Sequence, residues 1–311
     1  MDNPVDPGAS RRHRPPLLTR TAEAVPPHAW FGVSAVFHYL GPSFAVLLFP
    51  AVGVLGVAWF RIASAALVFA PFTRPWRTFR RASAHERLLL LALGVTLAVM
   101  NASFYLALDR LPIALVAAIE FVGTIGIALY GLRTSRNWLA LGCAASGVAL
   151  LIDIPSLFVS DGPALTSDLV GLFWAALNGA LFIVYILLGH KISQGGASGG
   201  VERLGAAMTA AFLFVMPIGF VQASDAFASP MLVLAGIAVG ICSSVLPYVC
   251  DQFAMSRLPR VSFALLLALL PATATVIGVI VLGQIPGMID IVGVGLVMLG
   301  VAVHKPVLRD A

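Results

Sequence analysis

Two charged residues stand inside apolar runs, where a charge is costly. Glu120 is the only charge in ALVAAIEFVGTIGIALY (residues 114–130), and Arg61 interrupts VGVLGVAWFRIASAALVFAPF (residues 52–72). A lone charge at the centre of a bilayer costs about 2.5–3.5 kcal/mol on insertion scales, so such residues face a partner or a polar cavity. Each lies about eight residues, or roughly 12 Å along a helix, from the same end of its run. Small neighbours leave room for close approach: Ala117, Gly123 and Thr124 on the face of Glu120, and Ala58, Ser64 and Ala65 on that of Arg61. Two chemistries fit. The residues can form a static ion pair that locks two helices, or they can line a cavity and take the ammonium and carboxylate of a zwitterion, or a proton. Asn101 lies at similar depth, His38 and Tyr39 lie beside the Gly41–Pro42 pair, and Asn178, Ser243, Ser244 and Tyr248 supply polarity in the second half of the chain. Each can serve a ligand, or equally satisfy backbone groups or a neighbouring helix. The candidate substrate-binding set is therefore Arg61, Glu120, His38, Tyr39, Asn101, Asn178, Ser244 and Tyr248.

The elements that must position these residues follow from composition. The chain is 59% hydrophobic and 11% charged, against about 25% charged in ordinary soluble domains, and its mean hydropathy is +0.97. A helix crosses a bilayer core with about 20 mostly apolar residues. Candidate spans lie near 30–49, 53–72, 87–108, 112–131, 137–154, 169–190, 203–221, 231–255, 260–282 and 287–304. Barrel strands would alternate apolar and polar residues, whereas runs such as RLLLLALGVTLAVM are solidly apolar. The expectation is an all-α integral membrane protein with ten transmembrane helices. Lys and Arg collect in cytoplasmic loops. Here they occupy the N-terminal tail, the C-terminus and the loops after the even-numbered spans, with Arg61 and Arg110 the exceptions. Both termini are thus expected in the cytoplasm. The positive charge sets topology and does not imply nucleic acid, and TRPWRTFRRASAHER reads as a short interfacial helix with a cationic face. Residues 1–29 are Pro- and Arg-rich, lack the apolar core of a secretory signal, and read as a disordered tail. Cys143, Cys242 and Cys250 all lie in apolar runs, as small fillers and not as a disulfide framework.

An internal repeat organises the spans. YLALDRLPIAL, from Tyr105, and QFAMSRLPRVS, from Gln252, both place R-L-P between two apolar runs. Five spans separate them, and an odd number inverts the second copy. The chain divides into a first five-helix unit (30–154), an external loop (155–168), a second, inverted unit (169–305) and a short tail (306–311). Inverted repeats suit alternating access around a midplane site, with weakened helices at corresponding places. Gly41, Pro42, Gly179 and Pro271 are the candidate hinges.

LFPAVGVLGVAWFRIASAALVFAPFTRPWR, YLALDRLPIALVAAIEFVGTIGIALYG and SSVLPYVCDQFAMSRLPRVSFALLLALLPATATVIGVIVLGQIP resemble the drug/metabolite transporter superfamily, and its EamA-type members in the threonine/homoserine exporter branch most of all. The resemblance runs from the first span to the last. It implies ten helices in two inverted repeats, an inner-membrane location, and export of amino acids or related metabolites. The chain departs from the family pattern in carrying Leu270 before Pro271, Gln284 after Gly283, and Asp251 where Glu is common. No H-E-x-x-H, P-loop or paired-Asp motif occurs, so neither enzyme chemistry nor a cofactor or metal is expected. A filter segment and a nucleotide-binding domain are also missing from the sequence, which leaves secondary transport. The alternative solutes are a nucleoside, a carboxylate or a cationic drug. A small-molecule substrate and membrane lipid are the expected partners. Gly142 with Ser146, and Gly293, Gly295 and Gly300, suggest a monomer or a weak homodimer through the fifth and tenth spans.

Overall fold

The computed structural model describes residues 25–131, 133–152, 163–192, 197–255, 258, 266 and 269–303. Every regular element among them is helical: α1 (Pro27–Val52), α2 (Val54–Thr73), α3 (Pro75–Arg81), α4 (Ala84–Leu108), α5 (Ile113–Gly131), α6 (Ser135–Leu151), α7 (Pro163–Ile192), α8 (Ala197–Ala223), α9 (Pro230–Gly240), α10 (Leu246–Met255), α11 (Leu270–Leu282) and α12 (Met288–Val303). A short 3-10 turn, Ser224–Ala228, follows α8, and a π turn, Ile241–Val245, joins α9 to α10. Five segments are long and apolar enough to cross a membrane: Pro27–Val52, Val54–Thr73, Ala84–Leu108, Glu202–Ala228 and Pro230–Asp251. The shorter apolar helices are Ile113–Val122, Leu169–Tyr185, Leu270–Leu282 and Met288–Val303.

Helix ends carry their own signals. Proline opens α1, α3, α9 and α11, where its missing N–H is no loss. Ser83 and Glu86 form a reciprocal capping box at the start of α4. The α1–α2 link turns on Gly53 at φ 76°, and Gly283 ends α11 at φ 65°, conformations that exclude most side chains. Among the described residues, Arg74, between α2 and α3, is the one non-glycine with positive φ, at 45°.

The helices pack as a bundle. α2 lies against α8, α6 against α12, α4 against both α7 and α8, and α5 against α7. α1 packs on α10, the π turn and α11, while α9 packs on α2 and α11 on α5. Outward faces are apolar, with Leu67, Phe72, Val221, Met231, Ile280 and Ile285 all exposed, as a lipid-facing surface requires. Glycines set the closest approaches. A Cβ on Gly147 would meet Val297 and the Gly293 carbonyl, and one on Gly300 would meet Ala140 and Ala144. Two of the four glycines expected to favour a dimer, Gly293 and Gly300, are therefore used within the chain, between α12 and α6. Gly142 and Gly295 open onto free space.

Several boundaries differ from expectation. α1 begins inside the segment read as tail, and α7 begins at Pro163, inside the segment read as an external loop. The ninth span was expected from residue 260 with Pro271 near its middle. Residues 259–265, 267 and 268 lie outside the described residues, and within the described helix α11 Pro271 stands in the first turn. The second R-L-P copy, 257–259, also falls largely outside them. α1 runs unbroken through Gly41 and Pro42, and α7 runs unbroken through Gly179. Among the described residues, a π turn at Ile241–Val245 interrupts the regular helix between α9 and α10, at a place not among the candidate hinges.

Candidate functional site

The π turn organises the site. Pro247 has no N–H to return to the Ser243 carbonyl four residues earlier, so that acceptor is open to another donor. Arg61 of α2 supplies it: Nη2 donates to the Ser243 carbonyl at 3.2 Å, and Nε donates to Ser244 Oγ at 3.1 Å. The guanidinium also faces the rings of Tyr105 and Phe104 of α4, at 5.2 and 5.8 Å from their centroids, within range for cation–π attraction. The Tyr105 hydroxyl and Ser243 Oγ are 3.4 Å apart. Gly41 makes room for this arrangement. A Cβ there would lie 2.6 Å from the Ser243 nitrogen and 2.8 Å from its Cα, so only glycine lets α1 close on the π turn. The pair Gly41–Pro42 thus acts here as a packing contact within a continuous helix. Pro42 likewise cannot return an N–H to the His38 carbonyl.

Glu120 of α5 has a separate partner. Asn178 Nδ2 of α7 donates to Glu120 Oε2 at 3.2 Å, and both side chains are buried. Gly179 faces α5 here, where a Cβ would sit at ordinary contact distance, 3.5 Å, from the Glu120 Cα and the Ile119 carbonyl. No salt bridge within 4.0 Å joins Arg61 to Glu120. The expectation of a contact ion pair is therefore corrected: matched depth put the two charges at one level, but each is held by a different helix. Arg61 Nη1 is buried with no hydrogen-bond partner. A buried donor left unsatisfied costs about 1–3 kcal/mol, more for a charged group, so such an atom asks for an explanation.

The structure places the remaining candidates as follows. Tyr39, 2% exposed, is within electrostatic range of Glu120, and the half-buried His38 is within range of Arg61. Their rings meet edge to face, 5.6 Å apart. Tyr248 is buried within range of both charges. Asn101 is the exception, because its amide donates to the Leu97 carbonyl of its own helix at 2.7 Å. Three residues outside the candidate set join it. Ser243 supplies the carbonyl to Arg61, and Phe104 and Tyr105 supply the ring faces. Tyr105 lies four residues from Asn101, hence on the same helical face, which is the signal that could have found it. Asp251 is the other acidic group of this region. It accepts a hydrogen bond from Ser34 Oγ of α1 and lies within range of Tyr185 and Tyr248.

Among the described residues, no group of three or more His, Cys, Asp or Glu side chains is placed to hold a metal. The arrangement instead offers one cationic and one anionic group, buried and held by different partners, with Tyr39, Tyr105 and Tyr248 close to them.

Comparison with known proteins agrees. Residues 169–304 match the EamA-like transporter family. A threonine/homoserine exporter RhtA from Salmonella typhimurium (strain SL1344) is 35% identical over 245 residues, covering 78% of this chain and 79% of that protein. The chain belongs to the EamA-like transporter family. The RhtA protein of Escherichia coli K12 is 34% identical over 259 residues, covering 83% of this chain and 84% of that protein. A solved crystal structure 17% identical in sequence aligns with a TM-score of 0.59 over 88% of this chain and 96% of the other, which supports the fold alone. This EamA protein is a membrane transporter and not an enzyme.

Proposed function

We propose that this protein exports an amino acid, of the size and kind of threonine or homoserine, across the inner membrane as a secondary transporter. The observation that carries this reading is the unpaired Arg61 Nη1 together with a buried Glu120 held by a different helix. The α-carboxylate of the substrate takes Nη1, and its ammonium takes Glu120. A zwitterion then satisfies both buried charges and leaves no net charge in low dielectric. Hydroxyls of Tyr39, Tyr248 and Ser244 are candidates to meet a hydroxylated side chain.

Alternating access between two inverted five-helix units would move this site from one side to the other. Support comes from the packing. Exchange α1 with α7, α2 with α8, α4 with α9 and α10, α5 with α11, and α6 with α12. The contact of α4 with α7 then becomes that of α10 with α1, and α5 with α7 becomes α11 with α1. The contact of α4 with α8 becomes that of α9 with α2, and α2–α8, α5–α11 and α6–α12 map onto themselves. Arg61 and Glu120 both belong to the first unit, and their hydrogen-bond partners, Ser243, Ser244 and Asn178, all belong to the second. Rocking one unit against the other would break both holds together, and substrate would replace them.

The test uses proteoliposomes loaded with labelled threonine. Efflux should run under an imposed ion gradient without ATP and should compete with homoserine. Glu120→Gln should abolish it while leaving the protein folded. Efflux that needs ATP, or that carries anionic or cationic solutes better than zwitterions, refutes the reading.

A further inference from the structure

A polar cavity lies well apart from the buried charges Arg61 and Glu120. It has a volume of about 610 Å³ and opens at the end of the bundle where α2 and α7 finish and α4 and α8 begin, with α3 along one wall. Arg74, Arg77, Arg81, Lys191 and Arg203 line it, against the carboxylates of Glu86 and Glu202. Glu86 is already engaged: Oε2 accepts from the Ser83 backbone N–H, and Oε1 lies 3.9 Å from Arg203. Among the described residues, no carboxylate lies within ion-pair distance of Arg74, Arg77 or Arg81. Arg87 and Arg80 serve differently. Arg87 donates to the Ala82 and Arg80 carbonyls and so closes the end of α3, and Arg80 does not line the cavity.

Three unpaired guanidiniums around one cavity call for an anion with several acceptor oxygens. The surroundings indicate where that anion comes from. Phe72, which lines the cavity, is 80% exposed, and Trp76 and Leu88 beside it are 55% and 64% exposed. The cavity floor includes the apolar Leu89 and Leu90. Aromatic and apolar groups exposed at a span end sit in the interfacial layer of the membrane, and basic pockets between helices at that depth take phosphate headgroups. A volume of this size accommodates a headgroup with its glycerol. We infer that the cavity lined by Arg74, Arg77 and Arg81 binds the phosphate headgroup of an anionic membrane phospholipid. The lipid would be held between α2, α3 and α4 on one side and α7 and α8 on the other.

Native mass spectrometry of the full chain in neutral micelles tests this, with phosphatidylglycerol, phosphatidylcholine and inorganic phosphate as probes. Phosphatidylglycerol should be retained over phosphatidylcholine. Arg77→Gln should weaken it about 5-fold, and Arg74→Gln with Arg77→Gln and Arg81→Gln on the order of 100-fold, from the usual contribution of a basic residue at an anionic surface. Arg80→Gln removes the same charge from the same short helix outside the cavity and should leave retention unchanged. If the triple variant fails to insert, the contrast between Arg77→Gln and Arg80→Gln decides the matter. Equal loss from those two single variants would show diffuse attraction and overturn the site. So would equal retention of phosphatidylcholine, or displacement of phosphatidylglycerol by millimolar inorganic phosphate, which would make the ligand a soluble anion.

Discussion

Replacing Arg61 with methionine separates what this residue does for folding from what it does for the solute. In the protein at rest, Arg61 makes two hydrogen bonds, at 3.2 Å to the Ser243 carbonyl and 3.1 Å to Ser244 Oγ. Methionine leaves that carbonyl without a donor, a cost of about 1–3 kcal/mol. Relief from burying a charge offsets part of it, since apolar replacement of buried ions is often neutral. The protein should therefore fold with a modestly lower thermal midpoint. Transport should respond differently. A charge-assisted bond between Nη1 and a substrate carboxylate contributes about 1.5–3 kcal/mol, so its loss weakens apparent affinity for threonine about 10- to 150-fold. An amino alcohol lacking the carboxylate makes no such bond and should change by no more than about 3-fold. Counterflow in proteoliposomes with the two labelled solutes measures both numbers. The combination with Glu120→Gln adds a second check. Because the two charges have separate partners and no contact within 4.0 Å, their coupling in thermal stability should be about 1 kcal/mol or less, against the 3–5 kcal/mol for breaking a buried pair. Threonine counterflow by Arg61→Met within 3-fold of the parent would refute the carboxylate assignment. Recovery of several kcal/mol in the double variant would restore the ion-pair lock in its place.

Three further outcomes are expected. Gly41→Ala drives a Cβ to 2.6 Å from the Ser243 backbone nitrogen, which cannot swing aside, so it should destabilise by about 1–3 kcal/mol, read as a lower midpoint in thermal unfolding. Ser83→Ala removes one arm of the capping box, costs about 1 kcal/mol at the start of α4, and should appear as faster amide exchange over residues 84–88 with transport retained. Gln284 Oε1 accepts from the Ile113 N–H at 3.2 Å and ties the end of α11 to the start of α5, so Gln284→Leu should loosen that end and raise thiol labelling of a cysteine placed at Ile113; unchanged labelling would remove the tie.

Some of this was legible in the sequence because membrane chemistry leaves few options. With no water to satisfy the backbone, a solidly apolar run must be helical, so the class of fold followed from composition. Arg61 and Glu120 were conspicuous because a charge in such a run needs a reason, and their common depth followed from helical rise alone. Asn178 was recognisable as polar within a span, but nothing in its neighbours named Glu120 as its partner. Which helix faces which is decided by packing between segments far apart in sequence. Glu120 and Asn178 are 58 positions apart, and Arg61 and Ser244 are 183 apart. Depth is a one-dimensional quantity that the chain encodes locally, whereas rotation about the helix axis and the choice of neighbour are set by the whole bundle. The contact pair expected between Arg61 and Glu120 failed for that reason. The π turn shows the same division. Ser243 and Pro247 carry the missing N–H in plain view, but only the approach of α1 at Gly41 and the reach of Arg61 from α2 turn a weakened helix into a place where a buried cation is held with one donor to spare.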